Sequence, residues 1–252
     1  MSFIVSIEIE KPIEKTNLPL NNSVSLPNNV TNNNVTTNSS NSSPTDNLTG
    51  VTDNKKSCLE NCVVLMMGDS VMGDIDFSMQ RLLKKDFPSW KVIDGHKVSS
   101  GLTNQTYYDW PATAKKLVEK YKPDYVFILL GTNDAQGMML NGKGLAFSKD
   151  LWVNEYSNRV NKIKEIMQSN DSSWYWIGLP VTKDKGFNSR LQVIRDIQES
   201  QTKDRYISVE SIFGKNDHSE PINMKLRAAD GIHLNSSGSD LVAKELLNKL
   251  KG

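Results

Sequence analysis

Short apolar runs alternate with longer segments of helical period from Cys62 to the C-terminus. Residues 63–67 form a continuous apolar run that ends at a glycine, which is typical of a strand buried on both faces. The next segment carries apolar side chains every three or four residues, at Met72, Ile75, Met79, Leu82 and Leu83. Because this spacing places them on one face of a helix, the pattern predicts a strand, a tight turn and a helix.

The same unit recurs along the rest of the chain. Further strands are predicted at residues 90–94, 125–130, 174–177 and 206–209. Helices are predicted to contain residues 114–121, 152–167 and 191–197, and a last helix begins at Ser236 or Ser237, which are suitable N-caps. Strands that are apolar on both sides and alternate with helices indicate a parallel sheet covered on both faces. The predicted fold class is therefore α/β, with a parallel sheet of about five strands.

The N-terminal part of the chain has a different composition. Between residues 16 and 49, 23 of 34 residues are Asn, Ser or Thr, and none is aromatic. Such a segment buries too little apolar surface to offset the entropy lost on ordering. We predict a disordered tail or tether over residues 1–57 and a single folded domain over residues 58–252.

The tail also bears on where the protein works. Residues 3–7 are apolar but too few for the core of a signal peptide. One interpretation is the stub of a removed membrane anchor, with the tail as a polar tether; the other is a soluble protein with a ragged start. The residues therefore leave open both a periplasmic or extracytoplasmic location in the cell envelope and a cytoplasmic one.

The charge balance argues against two classes of partner. With 30 basic and 29 acidic residues, the chain has a net charge of +1 and no electrostatic footprint for nucleic acid or an anionic membrane. The longest apolar stretch after the tail, residues 125–130, is far shorter than the ~20 residues that span a bilayer. We expect neither a nucleic-acid partner nor a transmembrane segment.

Two cysteines stand where the tail meets the first apolar run. The spacing in Cys58-Leu-Glu-Asn-Cys62 is that of neither a redox pair nor a zinc knuckle, and there is no second cysteine pair. Either a small disulfide loop or two free thiols fits, depending on the redox compartment. We predict no metal and no cofactor.

Polar residues follow three of the predicted strands, and in a parallel sheet such positions meet at one edge. Ser70 comes after the first strand at the start of a helix, where backbone N–H groups favour an oxyanion, so it is a candidate nucleophile. Gly101 follows the second strand and offers a backbone N–H close to substrate. Asn133 follows the third strand, and its amide can donate to a developing oxyanion.

An Asp and a His lie three residues apart before the last helix. In Asp230-Gly-Ile-His233, the carboxylate can fix the imidazole tautomer and stabilise the imidazolium. His233 is then the candidate general base for Ser70. His96 and His218 have no such partner at a fixed spacing, and we interpret them as surface or loop residues.

Together these blocks resemble the SGNH, or GDSL-type, hydrolase superfamily over about residues 62–251. They are Gly68-Asp69-Ser70, Gly101, Gly131-Thr132-Asn133-Asp134 and Asp230-Gly231-Ile232-His233. Residues 100–111, 176–180 and 227–234 are also similar to a subgroup of bacterial cell-envelope SGNH proteins whose domain has no assigned function. The resemblance implies a flavodoxin-like three-layer α/β/α sandwich.

The resemblance also implies a role for each residue of the blocks. Ser70 would be the nucleophile, His233 the base and Asp230 the residue that orients it. The N–H groups of Ser70 and Gly101 and the Asn133 side chain would form the oxyanion hole.

Other residues near these blocks receive weaker interpretations. We expect Asp69 and Asp134 to hold the loops rather than transfer protons. Tyr107, Tyr108 and Trp110 line an acyl or sugar subsite or, as the alternative, pack at the start of a helix. Residues 137–144 resemble a phosphate-binding loop except for Gly144 at the position of the magnesium-binding Ser or Thr, so we interpret them as a mobile loop near the site.

Three functions remain open at this stage. The first is a serine esterase that removes a small acyl group, most simply acetyl, from an envelope carbohydrate through an acyl-serine intermediate. The second is an O-acetyltransferase that passes the acyl group to a sugar hydroxyl, with a membrane-bound acyl donor as partner. The third is a carbohydrate-binding protein on a hydrolase frame. The expected partner is an acylated carbohydrate or another small ester.

Overall fold

The computed structural model describes residues 58–215, 217, 219 and 222–251, so the predicted tail of residues 1–57 lies outside it. The strands in the described part are β1 (Val63–Gly68), β2 (Lys91–His96), β3 (Tyr125–Leu129), β4 (Met138–Leu140), β5 (Lys143–Leu145), β6 (Ser173–Ile177) and β7 (Tyr206–Ile207). The helices are α1 (Ser70–Asp86), α2 (Trp110–Tyr121), α3 (Asp150–Gln168), α4 (Lys185–Thr202), α5 (Glu210–Phe213) and α6 (Ser236–Lys251), with 3-10 turns at Lys203–Arg205 and Met224–Leu226. These elements follow the predicted alternation.

Five strands form a parallel sheet in the order β2-β1-β3-β6-β7. Its two central strands, β1 and β3, are almost entirely buried, as their continuous apolar runs require. Helices α1 and α6 pack against each other, and α2, α3 and α4 pack in succession. The strand order is that of flavodoxin-like sheets once the β4-β5 hairpin is set aside. The predicted α/β class, three-layer sandwich and five-stranded sheet are confirmed.

Side-chain caps fix where helices begin beyond the carboxyl ends of the strands. The Asp69 carboxylate accepts a hydrogen bond from the Val71 N–H at 3.0 Å and caps α1 directly after β1. Asp109 and Asp184 cap α2 and α4 in the same way, through the N–H groups of Ala112 and Phe187. Because a cap ends the preceding turn and starts the helix at one residue, α1 begins at Ser70, at the edge of the sheet.

Residues 137–144 are not the loop that we expected. Met138–Leu140 and Lys143–Leu145 pair as an antiparallel hairpin. Asn141 and Gly142 connect the two strands and both have positive φ, at 49° and 78°. This Asn-Gly pair is the sequence signal for a two-residue hairpin turn, because both residues tolerate the left-handed conformation. This turn signal was overlooked because residues 137–144 were compared with a phosphate-binding loop.

The two cysteines form a disulfide just before β1. Of the two alternatives that the sequence left open, the structure contains the closed loop. The chain enters the sheet at this point, and the Asp124 carboxylate accepts the Val63 N–H at 2.8 Å. None of the helices in the described residues is long and apolar enough to cross a membrane.

Candidate active site

Ser70 and His233 meet at the start of α1. The Nε2 atom of His233 lies 2.9 Å from the Oγ atom of Ser70, although the two residues are 163 positions apart in the chain. Ser70 is the first residue of α1, where the helix dipole favours negative charge. The contact gives the hydroxyl group an imidazole partner for its proton.

Asp230 holds His233 from the other side of the ring. Its Oδ2 atom lies 2.7 Å from His233 Nδ1, and its Oδ1 atom accepts the N–H groups of Ile232 and His233 at 2.8 and 3.0 Å. The pKa of Asp230 is lowered to about 2, mainly by the hydrogen bond from the His233 side chain. An ionised carboxylate therefore faces Nδ1, which places the proton there and leaves Nε2 as the acceptor for the Ser70 hydroxyl.

A buried arginine supports the loop that carries Asp230 and His233. The Arg227 guanidinium donates to the Ile232 carbonyl at 2.5 Å and to the Val181 carbonyl, and it lies 4.4 Å from the centroid of the Phe213 ring. Burial lowers the pKa of Arg227 to about 10. Arg227 thus ties the loop of Asp230 and His233 to the segment after β6. No role for Arg227 could be predicted from the sequence, because its partners are carbonyl groups that no motif marks.

Asp74 is a second carboxylate beside the pair and was also missed. One turn after Ser70 on α1, it accepts the Leu234 N–H at 2.9 Å and so fixes the residue next to His233. Burial raises the pKa of Asp74, whereas the nearby His233 and His96 both lower it. Its spacing of four residues from Ser70 is the signal that could have revealed it.

Three donors that could stabilise an oxyanion lie near Ser70. Within the described residues, no hydrogen-bond acceptor is paired with the N–H of Ser70 or Gly101. The Asn133 side chain donates one N–H to the Ser100 carbonyl at 2.8 Å and has a second to offer. This bond also ties the loop after β3 to the loop after β2. The predicted oxyanion donors thus come from three neighbouring strand ends.

Asp134 fixes the loop that carries Gly101. Its buried carboxylate accepts the N–H groups of Leu102 and Thr103, the Thr103 hydroxyl and the Tyr156 hydroxyl, all at 2.8 to 2.9 Å. A Cβ atom on Gly101 would lie 2.2 Å from Asp134 Oδ1, so only glycine fits there. Burial raises the pKa of Asp134, and these donors lower it.

Asp69 joins the first block to the third in a similar way. Besides capping α1, it accepts the Thr132 N–H at 3.0 Å. Burial raises its pKa from 3.8 to about 7, with a smaller contribution from the nearby Asp134. The contacts of Asp69 and Asp134 are those of residues that hold loops.

The three aromatic candidates lie in different surroundings. Trp110 is fully buried and donates to the Ser100 hydroxyl at 3.0 Å, so it supports the loop from beneath, and the prediction that it contacts substrate is wrong. Tyr108 is half-buried against Trp110, whereas Tyr107 is 48% exposed. The Lys97 ammonium lies about 6 Å from both tyrosine rings. Tyr107 and Tyr108 keep their predicted role as a hypothesis.

The interpretation of His96 as a residue without a partner is also wrong. Its Nδ1 atom lies 2.6 Å from Asp94 Oδ1, two residues earlier on β2. The search for a fixed Asp-to-His spacing overlooked this pair because alternate residues of a strand point to the same face. His218 lies outside the described residues.

Among the described residues, one group of side chains has the spacing of a metal site. It consists of Cys58, Cys62 and Asp124, and both cysteines are consumed by the disulfide. It lies at the amino end of β1, whereas Ser70 follows the carboxyl end.

The parallel sheet with helices on both faces is a fold that solved GDSL-type lipases and esterases also have. A solved GDSL-like lipase from Bacteroides thetaiotaomicron is similar, with 14% identity and a TM-score of 0.56 over 76% of this chain and 88% of that chain. A catalytic mutant of an acetylxylan esterase from Geobacillus stearothermophilus has 14% identity and a TM-score of 0.57, and the match covers 77% of this chain and 96% of that chain. An esterase from Pseudoalteromonas has 15% identity and a TM-score of 0.52, and the match covers 75% of this chain and 96% of that chain.

The family model of a protein of unknown function, DUF459, matches residues 63–249. The chain belongs to this family. The predicted resemblance to SGNH proteins with an unassigned domain is thereby confirmed. The comparison with curated proteins gives no match.

Proposed function

We propose that the protein is a serine esterase that removes a small acyl group, most simply acetyl, from a carbohydrate of the cell envelope. The hydrogen-bonded series from Ser70 through His233 to Asp230 carries the proposal. A hydroxyl, an imidazole and an ionised carboxylate in this order form the triad that activates serine nucleophiles on unrelated folds.

The contacts support a distinct role for each group. Ser70 Oγ attacks the ester carbonyl while His233 Nε2 takes its proton, and Asp230 stabilises the imidazolium that forms. The N–H groups of Ser70 and Gly101 and the Asn133 amide hold the oxyanion. When the tetrahedral adduct collapses, the imidazolium gives its proton to the leaving alcohol and the acyl group stays on Ser70.

Water completes the cycle by the same steps in reverse. His233 removes a proton from the attacking water, and the second adduct collapses to release a carboxylic acid and the Ser70 hydroxyl. If a sugar hydroxyl attacks instead, the product is a new ester, so the transferase alternative needs the same residues.

Three observations support a carbohydrate ester and an envelope location. The acetylxylan esterase that shares the fold acts, by its name, on an acetylated polysaccharide. Tyr107 offers an exposed ring beside the Gly101 loop, and an aromatic ring can pack against the apolar face of a sugar. The disulfide between Cys58 and Cys62 is of a kind that persists in oxidising compartments.

The direct test is hydrolysis of 4-nitrophenyl acetate. We expect Ser70→Ala to lower kcat by at least about a thousandfold, because the triad loses its nucleophile. Ser78→Ala is the matched control, since Ser78 lies two turns further along α1 and hydrogen-bonds Asp240. Equal rates for the wild type and Ser70→Ala would refute the proposal.

A further inference from the structure

We propose that His96, held by Asp94, accepts a hydrogen bond from a hydroxyl group in the alcohol part of the substrate, next to Ser70. The inference rests on the proposed esterase function and names a contact that selects hydroxyl-bearing alcohols such as sugars. It starts from a likeness between two pairs of side chains.

The Asp94–His96 pair is built like the Asp230–His233 pair. In both, the carboxylate lies within 2.6 to 2.7 Å of the Nδ1 atom of the histidine. In both, the same carboxylate also accepts the backbone N–H of that histidine, at 3.0 Å. A proton on Nδ1 that faces a carboxylate leaves Nε2 as a hydrogen-bond acceptor.

His96 lies beside the nucleophile. It is the last residue of β2 and is paired in register with Gly68, two residues before Ser70. Its ring lies against Gly73 on the first turn of α1, only about 4.5 Å along the helix axis from Ser70. Residues three apart share a helix face, so the His96 ring and the Ser70 hydroxyl lie on the same side of α1.

The His96 ring accounts for the presence of glycine at position 73. Glycine is disfavoured inside helices, and this one lies in the interior of α1. A Cβ atom at this position would lie 2.9 Å from both Cδ2 and Nε2 of His96. The ring therefore occupies the space that any other residue would fill, which ties the position of His96 to the nucleophile helix.

Asp74 connects the two histidines. Both His233 and His96 lower the pKa of Asp74, although burial raises it more, and the Asp74 carboxylate accepts the Leu234 N–H. The His96 side chain is 30% exposed, so a ligand can reach it. Within the described residues, no hydrogen bond occupies Nε2 of His96. A partly exposed imidazole whose Nε2 atom has no hydrogen bond to the described part of the chain fits a hydroxyl donor.

The test compares two esters that differ in the alcohol. One is 4-nitrophenyl acetate, whose alcohol part has no hydroxyl to donate, and the other is a mono-O-acetyl methyl glycoside with free neighbouring hydroxyls. We expect His96→Phe, which keeps a ring but removes the acceptor, to lower the ratio of kcat/KM for the glycoside to that for 4-nitrophenyl acetate by about tenfold. The ratio is independent of the fraction of enzyme that is folded.

Two further variants sharpen the test. Asp94→Ala should lower the same ratio by a smaller factor, because the ring stays but loses its orientation. Asp86→Ala is the matched control, since Asp86 ends α1 and pairs with Lys251 far from Ser70, and it should leave the ratio unchanged.

The outcomes separate this inference from the proposed function. An unchanged ratio in His96→Phe, with turnover of both esters that depends on Ser70, overturns the role of His96 and leaves the esterase intact. A wild type that hydrolyses only 4-nitrophenyl acetate also overturns it. If the wild type hydrolyses neither ester, the proposed function fails and the inference fails with it.

Discussion

Three aspartates lie near the carboxyl edge of the sheet, in two different surroundings. Asp69 and Asp134 are fully buried, and burial raises the pKa of both carboxyl groups. Asp230 has a side chain that is 47% exposed, and its hydrogen bonds lower its pKa to about 2. The partners differ in kind, because the buried pair accepts from backbone and hydroxyl groups, whereas Asp230 also accepts from an imidazole.

This difference separates the two aspartates that position loops from the one that we expect to take part in catalysis. A buried carboxylate surrounded by donors fixes loops firmly, since any other arrangement leaves polar groups unpaired. A solvated carboxylate remains charged and can stabilise an imidazolium as it forms. Replacing each aspartate by asparagine changes little in size, so the same substitution tests the comparison at all three sites.

The largest effect on catalysis is expected for Asp230→Asn. Without the carboxylate the imidazolium is no longer stabilised and the tautomer is not fixed, so kcat for 4-nitrophenyl acetate should fall by about 10³- to 10⁴-fold. The asparagine oxygen can still accept the N–H groups of Ile232 and His233. Because the Asp230 side chain is 47% exposed, solvent screens its contact with His233, and the thermal midpoint should move little. A rate within tenfold of the wild type would show that Asp230 is only structural.

Asp134→Asn should affect stability more, and catalysis less, than Asp230→Asn does. The amide places an N–H against groups that already donate, so the free energy of unfolding should fall by about 3 kcal/mol. Release of the Gly101 loop should also lower kcat by about a hundredfold. Urea denaturation measures the stability, and a loss no larger than that of Asp230→Asn would contradict the comparison.

The last expected effect is a change in the pH dependence of stability. A carboxyl group whose pKa is higher in the folded than in the unfolded chain stabilises the fold at low pH, and this contribution is lost as the pH rises through the folded value. For Asp69 the loss falls between about pH 4 and 7. In Asp69→Asn the fall in unfolding free energy over this window should be shallower, by up to about 1.4 kcal/mol per pH unit.

Urea denaturation at several pH values measures this slope. Asp230→Asn is the control, because the lowered pKa of Asp230 contributes stability that disappears only below about pH 4. Equal slopes for the wild type and Asp69→Asn between pH 4 and 7 would show that burial of Asp69 has no effect on its titration.

The sequence predicted the fold where pattern and chemistry agree. Short runs rich in apolar residues, separated by segments of helical period, located the five strands of the sheet. Ser70, Asn133 and the Asp230 to His233 block followed from their places at strand and helix ends. The β4-β5 hairpin was missed because its strands have only three residues each and show no clear period.

The supporting contacts could not be predicted from the sequence. Arg227, Asp74 and Trp110 act on parts of the chain that come together only in the folded protein. Trp110 and Tyr107 belong to the same aromatic stretch of the sequence, yet Trp110 is buried and Tyr107 is exposed. Only the packing of the folded protein distinguishes the two. The Asp94–His96 pair had a readable signal in its strand spacing, but its approach to Gly73 depends on how α1 packs on β2.

The most direct measurement of the central claim is covalent labelling with a fluorophosphonate, followed by mass spectrometry of the intact protein and its peptides. We expect a single adduct on the wild type, located at Ser70, much slower labelling of Asp230→Asn and no labelling of Ser70→Ala. A wild type that remains unlabelled, or a Ser70→Ala variant labelled as fast as the wild type, would contradict it.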